Sequence, residues 1–427
     1  MPKTAVIICS FNKKEEILKC INSVMMLNYN NLELYVVDNA SNDGSIEAIK
    51  ALDYKHPFYL IVNKENKGGS GGFNTGILKS LEKEYKYLYL LDNDVVVDSQ
   101  ALISLIVEME KDPKLGIAGS KVYIQNVPNQ IQEMGAWIDW DNASIIFNQK
   151  GYIEDIPVLE NFSVDYVPAC SLLVRVDAVR KAGTMDEEYF LYWDDIEWAH
   201  RIKLAGYNVK AVAASKVWHK GGGVHKTSTA GTYYFWRNRL HFFNQYLPEE
   251  KHEKALGRFF EDYFQGLFSC LFYRKTQTAR SMFEGVKDAI NGKRGRADGH
   301  QYGEVDNGRL TFAKLIEEYP EFYIVHNDYS KTVEMTINKR YPEVKLQKWS
   351  GQVSLDGKIL LIPYSHVFDS NSDNLYEGLN SYNIDVYLNL LPCDKFGKKV
   401  KERYKRKKEY FMINIVPQYI KRLRQQK

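Results

Sequence analysis

The chain has 427 residues, 44 % hydrophobic and 26 % charged, with a net charge of +3. Such a composition fits a soluble globular protein of two or three domains, each able to bury its own core. It excludes a membrane-spanning helix, since no apolar run approaches about 18 residues, while so small a net charge argues neither for nor against nucleic acid.

Five cysteines, at 9, 20, 170, 270 and 393, include no CxxC pair and read as reduced thiols of a cytoplasmic protein. Met1-Pro2-Lys3-Thr4 leads straight into a strand, so no signal peptide is expected. Thirty tyrosines are the unusual feature. Flat aromatic faces suit sugar sites, although most of these rings are expected in cores.

Ala5-Val6-Ile7-Ile8-Cys9 is a short apolar run suited to a parallel core strand. Ser10-Phe11-Asn12 forms a turn, and Ile17, Leu18, Ile21, Val24 and Met25 then recur at helical spacing. Leu34-Tyr35-Val36-Val37 is a second strand ending at Asp38, and the polar cluster after it caps a helix near Ser45. Phe58 to Val62 is a third strand; Asn66 and the glycine loop Gly68 to Gly76 follow, then a helix through Leu81. Tyr87 to Leu91 is a fourth strand ending in Asp92-Asn93-Asp94. A helix with Leu102, Leu105, Ile106 and Met109 and a fifth strand, Gly116 to Val122, complete the alternation. Strands and helices at this spacing imply an α/β fold with right-handed crossovers and a mainly parallel sheet, every polar loop opening on one edge.

Asp92 and Asp94 are hard oxygen ligands suited to Mg²⁺ or Mn²⁺ carrying a diphosphate, though an isolated Asp-x-Asp also simply ends a strand. Asp38 could accept hydrogen bonds from a uracil or ribose, or cap its own loop. Gly68, Gly69, Gly71 and Gly72 would let backbone N–H groups approach a phosphate at a helix N-terminus. The run is not a Walker A loop, and it follows the third strand rather than the first.

Val164 to Val176 reads as a loop into an apolar strand. Asp194 and Glu197 have the spacing of a capping box, so a helix is expected to begin there. Capping leaves Asp195 unexplained, together with the crowding of Tyr189, Phe190, Tyr192 and Trp193 before it. A carboxylate at a helix start beside aromatics suits a general base acting on a sugar hydroxyl. His219 ends a segment that includes a short strand near Val209 to Val212; it could be a third metal ligand or a structural histidine.

From Thr232 to about Ile290 the chain reads as helical and rich in aromatics, with Phe259, Phe260, Tyr263, Phe264, Leu267, Phe268, Leu271 and Phe272 covering most of one helix. Residues 291–299 form a polar, glycine-rich linker. Beyond about 304, Tyr323-Ile324-Val325, Val344-Lys345-Leu346, Lys358 to Pro363 and Val386-Tyr387-Leu388 are strand-like in a smaller α/β domain. From Lys398 to Lys427 there are twelve Lys/Arg against two Glu, leaving the remainder acidic. This tail could rest on anionic lipid or be a solvated helix face. An acidic remainder offers no extended basic groove, so nucleic acid is not expected as a partner.

Taken in order, Ser10-Phe11-Asn12, Val37-Asp38-Asn39-Ala40-Ser41, Asn66 with the glycine loop, Leu91-Asp92-Asn93-Asp94, Trp193-Asp194-Asp195 and Trp218-His219 resemble family 2 inverting glycosyltransferases of the GT-A fold. Gly-Gly-Ser-Gly-Gly-Phe-Asn and Trp-Asp-Asp-Ile-Glu-Trp look most like bacterial galactofuranosyltransferases, with rhamnosyltransferases next. The resemblance implies a GT-A catalytic domain over 1–240; it does not extend further, and the reading of the remaining residues gives a helical extension and linker over 241–300 and a C-terminal domain over 301–427. It implies that Asp38, the Ser10–Asn12 turn, Asn66, the glycines and Asn93 hold a nucleotide sugar, with UDP-galactofuranose first and dTDP-rhamnose second. Asp92, Asp94 and His219 would hold Mn²⁺ or Mg²⁺. Asp195 would be the base, with Asp194 shaping the acceptor site, and Trp137 and Trp193 would stack on sugar. The acceptor would be a cell-surface or lipid-linked glycan; a homo-oligomer and a peripheral place on the inner face of the plasma membrane are compatible with this reading. A nucleotide-sugar or glycan-binding protein without activity is the alternative.

Overall fold

Uninterrupted apolar runs give strands buried on both faces. The computed structural model describes residues 1–154, 156–220, 228–305, 312–351, 355–370, 376 and 379–426. It contains two compact units, Met1–Phe259 with Arg280–Val305 and Arg422–Lys427, and Phe260–Ala279 with Asp306–Lys421.

In the first unit, β1 (Thr4–Ser10), β2 (Leu32–Asp38), β3 (Phe58–Val62) and β4 (Tyr87–Asp92) are parallel, in the order β4-β1-β2-β3. Helices α1 (Lys14–Met25), α2 (Ser45–Lys50) and α3 (Gly68–Ser80) connect them. The short β5 (Val95–Val97), α4 (Ala101–Lys111) and β6 (Leu115–Ile124) follow. Next come β7 (Val127–Glu133), the hairpin β8 (Ala136–Asp139) and β9 (Ser144–Phe147), β10 (Phe162–Ser163) and β11 (Ser171–Arg175). After α5 (Val176–Ala182) and α6 (Asp194–Leu204), β12 (Asn208–His219) returns beside β6. The sheet runs β10-β12-β6-β11-β4-β1-β2-β3, with β11 antiparallel to both its neighbours. Val6, Ile8, Leu34, Val36 and Leu91 pack beneath Ile17, Ile21, Leu102 and Leu105 of α1 and α4, all fully buried. Each such side chain contributes about 1.5–3 kcal/mol.

The expected mainly parallel α/β sheet is present, and several details differ. The run at Gly68 is the first turn of α3 itself rather than a loop before it. Gly68 has φ +74°, and a Cβ there would lie 2.1 Å from the Phe190 carbonyl oxygen. A Cβ on Gly72 would lie 2.2 Å from Cys9 Sγ. These two glycines allow close backbone packing. The segment ending at His219 is one long strand with two register shifts. The capping box does not form: Trp193 is the N-cap with no side-chain cap, and Glu197 pairs with Arg201 at 2.6 Å.

Helices α7 (Ala230–Tyr246), α8 (Glu249–Phe272) and α9 (Thr276–Ile290) are the expected aromatic segment. The second unit adds α10 (Phe312–Glu318), β13 (Phe322–Ile324), α11 (Ser330–Arg340), β14 (Leu346–Lys348), β15 (Ile359–Pro363), β16 (Ser381–Ile384) and β17 (Leu390–Pro392). Its chain ends in α12 (Lys395–Asn414), and α13 (Val416–Arg424) follows. The sheet order is β14-β13-β15-β16-β17, parallel except for β17. Val386-Tyr387-Leu388 is a turn rather than a strand, because Asp385 Oδ1 accepts from the N–H groups of Tyr387 and Asn389 at 3.0 and 3.1 Å. Phe264, Phe268 and Phe272 pack on Val367, Phe368 and Tyr404. No helix among the described residues is long and apolar enough to cross a membrane.

One tertiary device positions the site. Ahead of α6, Phe190, Tyr192 and Trp193 have φ of +64°, +64° and +68°. Each left-handed non-glycine residue costs about 1–3 kcal/mol and persists only when its surroundings impose it. The buried Asn238 of α7 imposes it, its amide nitrogen lying 2.8, 2.8 and 2.9 Å from the carbonyl oxygens of Tyr189, Leu191 and Tyr192. The neighbouring Arg237, also buried, donates to the carbonyls of Glu188, Tyr189 and Gly295. Replacing Asn238 with Leu leaves these carbonyls short of a donor and is expected to destabilise the fold by about 1–3 kcal/mol. Denaturant unfolding measures this; wild-type stability in the variant would mean the loop is held by other contacts.

Candidate active site

At the C-terminal edge of β4, Asp92, Asp94 and His219 offer ligand atoms that all lie within 4.8 Å of one another. The antiparallel pairing of β12 with β5 brings His219 opposite Val95, one residue beyond Asp94. His219 Nε2 lies 2.9 Å from Asp94 Oδ1 and 3.8 Å from Asp92 Oδ2. Burial, the largest single influence, lowers the pKa of His219, but the Asp94 hydrogen bond and the charges of Asp94, Asp92 and Glu133 together outweigh it and raise it. Burial opposes ionisation of Asp94 in turn, yet His219 holds that carboxyl below the usual range. Asp92 is pushed up to about 6, first by its enclosure, with Asp94 and Asp195 adding to the rise and His219 opposing it. On its other side, the His219 ring meets Gln132 of β7, with Nδ1 3.0 Å from the amide nitrogen.

Asp92 and His219 line a cavity of about 400 Å³ together with Asp194, Asp195 and Gly69. Asp195 sits at the start of α6, where Oδ1 accepts from the Ile196 N–H at 2.9 Å and Oδ2 from the Ala169 N–H at 3.2 Å. Burial raises the pKa of Asp195; burial and then the neighbouring Asp195 charge raise that of Asp194. Carboxyls displaced upward in a cleft are candidates for proton transfer.

Several wall residues carry no motif in the sequence. Gln132 and Glu133 end β7, and Tyr166 donates to Glu133 Oε1. Burial pushes Glu133 up to about 7, with the Asp195 charge adding to it and the Tyr166 hydrogen bond opposing. Lys150 and Phe235 complete that side. Tyr166 falls in the segment read as a loop into a strand, but β7 itself has no clean alternation to announce it.

The residues expected at the nucleotide gather around Asn39. Its Nδ2 donates to Asn66 Oδ1 and the Gly68 carbonyl at 3.1 and 2.8 Å, and its own N–H donates to the Ser10 carbonyl at 2.7 Å. Asn93 Nδ2 donates to Ser10 Oγ at 3.1 Å. Asn12 exchanges hydrogen bonds with Ser41 and Asn42, and Phe11 is exposed. Asp38 is fully buried; Oδ1 accepts from the Ser41 N–H, while Oδ2 has no partner among the described residues. The Gly69 N–H is already bonded to the Phe190 carbonyl and the Gly68 N–H to Asn66 Oδ1, so neither is free to receive a phosphate. Gly71 and Gly72 are buried in the first turns of α3. Trp193 lines the cavity but packs on Phe242 and Phe243. Trp137 stands on the β8–β9 hairpin, its indole N–H on the Ser163 carbonyl, and is not among the cavity-lining residues.

Residues 5–183 match the family model for glycosyl transferase family 2. The poly-beta-1,6-N-acetyl-D-glucosamine synthase of Staphylococcus aureus (strain COL) is 26 % identical over 215 residues, 50 % of this chain and 48 % of that protein. The synthase of the same name from Staphylococcus epidermidis is 25 % identical over the same shares. The chain thus spans about half the length of the curated relatives it matches. A crystal structure of GalNAc-T7 with UDP, GalNAc and Mn²⁺ aligns at 15 % identity and a TM-score of 0.47, over 60 % of this chain and 50 % of that one. Residues 5–183 therefore form a family 2 glycosyltransferase domain.

Proposed function

We propose that this domain moves a sugar from a nucleoside-diphosphate sugar to a hydroxyl of a glycan, with inversion at the anomeric carbon. One observation carries the reading: Asp195 and the Asp92 and His219 side chains line the same cavity. A donor and an acceptor held there would meet across it. Asp92, Asp94 and His219 suit Mn²⁺ or Mg²⁺, being two hard carboxylates and one imidazole within reach of a single ion. Such an ion supplies positive charge that stabilises a departing diphosphate. The unused Oδ2 of Asp38 is an acceptor for an N–H or O–H of the nucleoside.

Asp195 takes the proton of the acceptor hydroxyl as that oxygen bonds to the anomeric carbon. The bond from the anomeric carbon to the diphosphate oxygen breaks on the opposite face, and its electron pair leaves with the diphosphate. Asp194, held above the ordinary range, retains a proton more readily and can donate a hydrogen bond to the acceptor. Gln132 acts as a positioning residue. For His219 Nε2 to give its lone pair to a cation, the proton must sit on Nδ1, and Gln132 must turn its amide oxygen toward it. Amide oxygen and nitrogen interchange by a simple flip, so the present geometry allows this.

The motif resemblance supports UDP-galactofuranose as the first donor to try and dTDP-rhamnose as the second. The names of the curated relatives add an N-acetylglucosamine donor. The acceptor is then a hydroxyl of a polysaccharide or a lipid-linked glycan.

Asp195→Asn is expected to slow transfer roughly 10²–10⁴-fold while leaving UDP affinity unchanged. In the wild type, the rate should fall as pH drops through the raised pKa of Asp195, because protonation removes the base. Normal transfer by the variant would contradict the assignment. Gln132→Leu should weaken Mn²⁺ binding about 10–100-fold in titration calorimetry. Equal affinity in both proteins would remove Gln132 from this role, and a wild type that binds no Mn²⁺ would remove the metal.

A further inference from the structure

Helix α12 carries an outward face that the chemistry above does not use. Gly397, Val400, Lys401 and Tyr404 are buried against the second unit. Away from them, Phe396, Lys399, Arg403, Arg406, Tyr410 and Ile413 recur at intervals of three and four, which places them along one side of the helix. The three apolar members are 57, 64 and 64 % exposed, and the three cations are exposed as well. Lys408 is paired with Glu261 at 2.7 Å, but among the described residues Lys399, Arg403 and Arg406 have no ion pair. Lys407 widens the stripe on one edge, while Glu402 and Glu409 lie beyond the other.

Single exposed apolar side chains are ordinary. Three of them interleaved with three unpaired cations, along roughly 25 Å of one rigid helix, form a different kind of surface. We propose that this face rests on an anionic lipid bilayer. The guanidinium and ammonium groups would meet lipid phosphates, while Phe396, Tyr410 and Ile413 enter the boundary between headgroups and acyl chains. The alternation of charge and apolar bulk fits a layered interface of that kind. A nucleic acid would call for a broader basic groove. The opposite face is fixed in the fold, so the stripe is presented without any ordering of a disordered segment. This inference is independent of the transfer reaction.

The test is co-sedimentation of the full chain with vesicles of phosphatidylcholine alone and of phosphatidylcholine with an equal share of phosphatidylglycerol. Binding is expected only to the anionic vesicles, and it should weaken as salt is raised. Replacing Lys399, Arg403 and Arg406 together with Gln should reduce partitioning on the order of a hundredfold. Replacing Phe396, Tyr410 and Ile413 with Ser should remove the part that survives high salt. Circular dichroism checks that these surface variants remain folded. The proposal is overturned if the wild type stays in the supernatant, if the variants sediment like the wild type, or if light scattering shows a dimer that the same substitutions dissolve. Binding of a polyribonucleotide in preference to anionic vesicles would overturn it too.

Discussion

The candidate active-site cavity depends on a backbone that would not hold its shape alone. Phe190, Tyr192 and Trp193 adopt left-handed φ values immediately before α6, and Asn238 and Arg237 of α7 keep them there through buried hydrogen bonds to their carbonyl groups and those of their neighbours. Release of those bonds would let the chain relax and turn the first residues of α6. Asp194 and Asp195 stand on those residues. Helix α7 follows His219 in sequence, so this wall of the cavity is incomplete until the chain reaches beyond residue 238.

The opposite wall is built by strand register. Parallel pairing sets Asp92 at the end of β4, and β12 returns with His219 beside it. Charge then sorts the carboxyls. Asp94, bonded to the imidazole, ionises easily; Asp194 and Asp195, enclosed and close together, do not. Carboxyls of opposite tendency thereby coexist in and beside one cavity, because each answers to its own surroundings rather than to its residue type.

The sheet was legible in the sequence because its strands are uninterrupted apolar runs ending in polar loops. Asp92, Asp94, Asp195 and His219 were legible because each sits where a strand or helix begins or ends. The Asp194–Glu197 spacing misled, since Glu197 is drawn to Arg201 and Tyr246 instead of the helix N-terminus. The glycine run misled in part: close packing on Phe190 and Cys9 accounts for two of its glycines, a demand set by residues far away in the chain. Gln132, Glu133 and Tyr166 left no trace in local pattern. They reach the cavity only through antiparallel pairing of β7 with β6 and the loop before β11. In the second unit, a single aspartate, Asp385, turned an apparent strand into a bend.

The stereochemistry of transfer tests the central claim most directly. Proton NMR can follow the first-formed sugar when the full chain, with Mn²⁺, turns over its nucleotide-sugar donor with water or an added glycan as acceptor. A lone base at Asp195 facing a departing diphosphate requires one displacement, so the product should appear with its anomeric configuration inverted. Retention of configuration would require a different arrangement of groups and would contradict this assignment of the site.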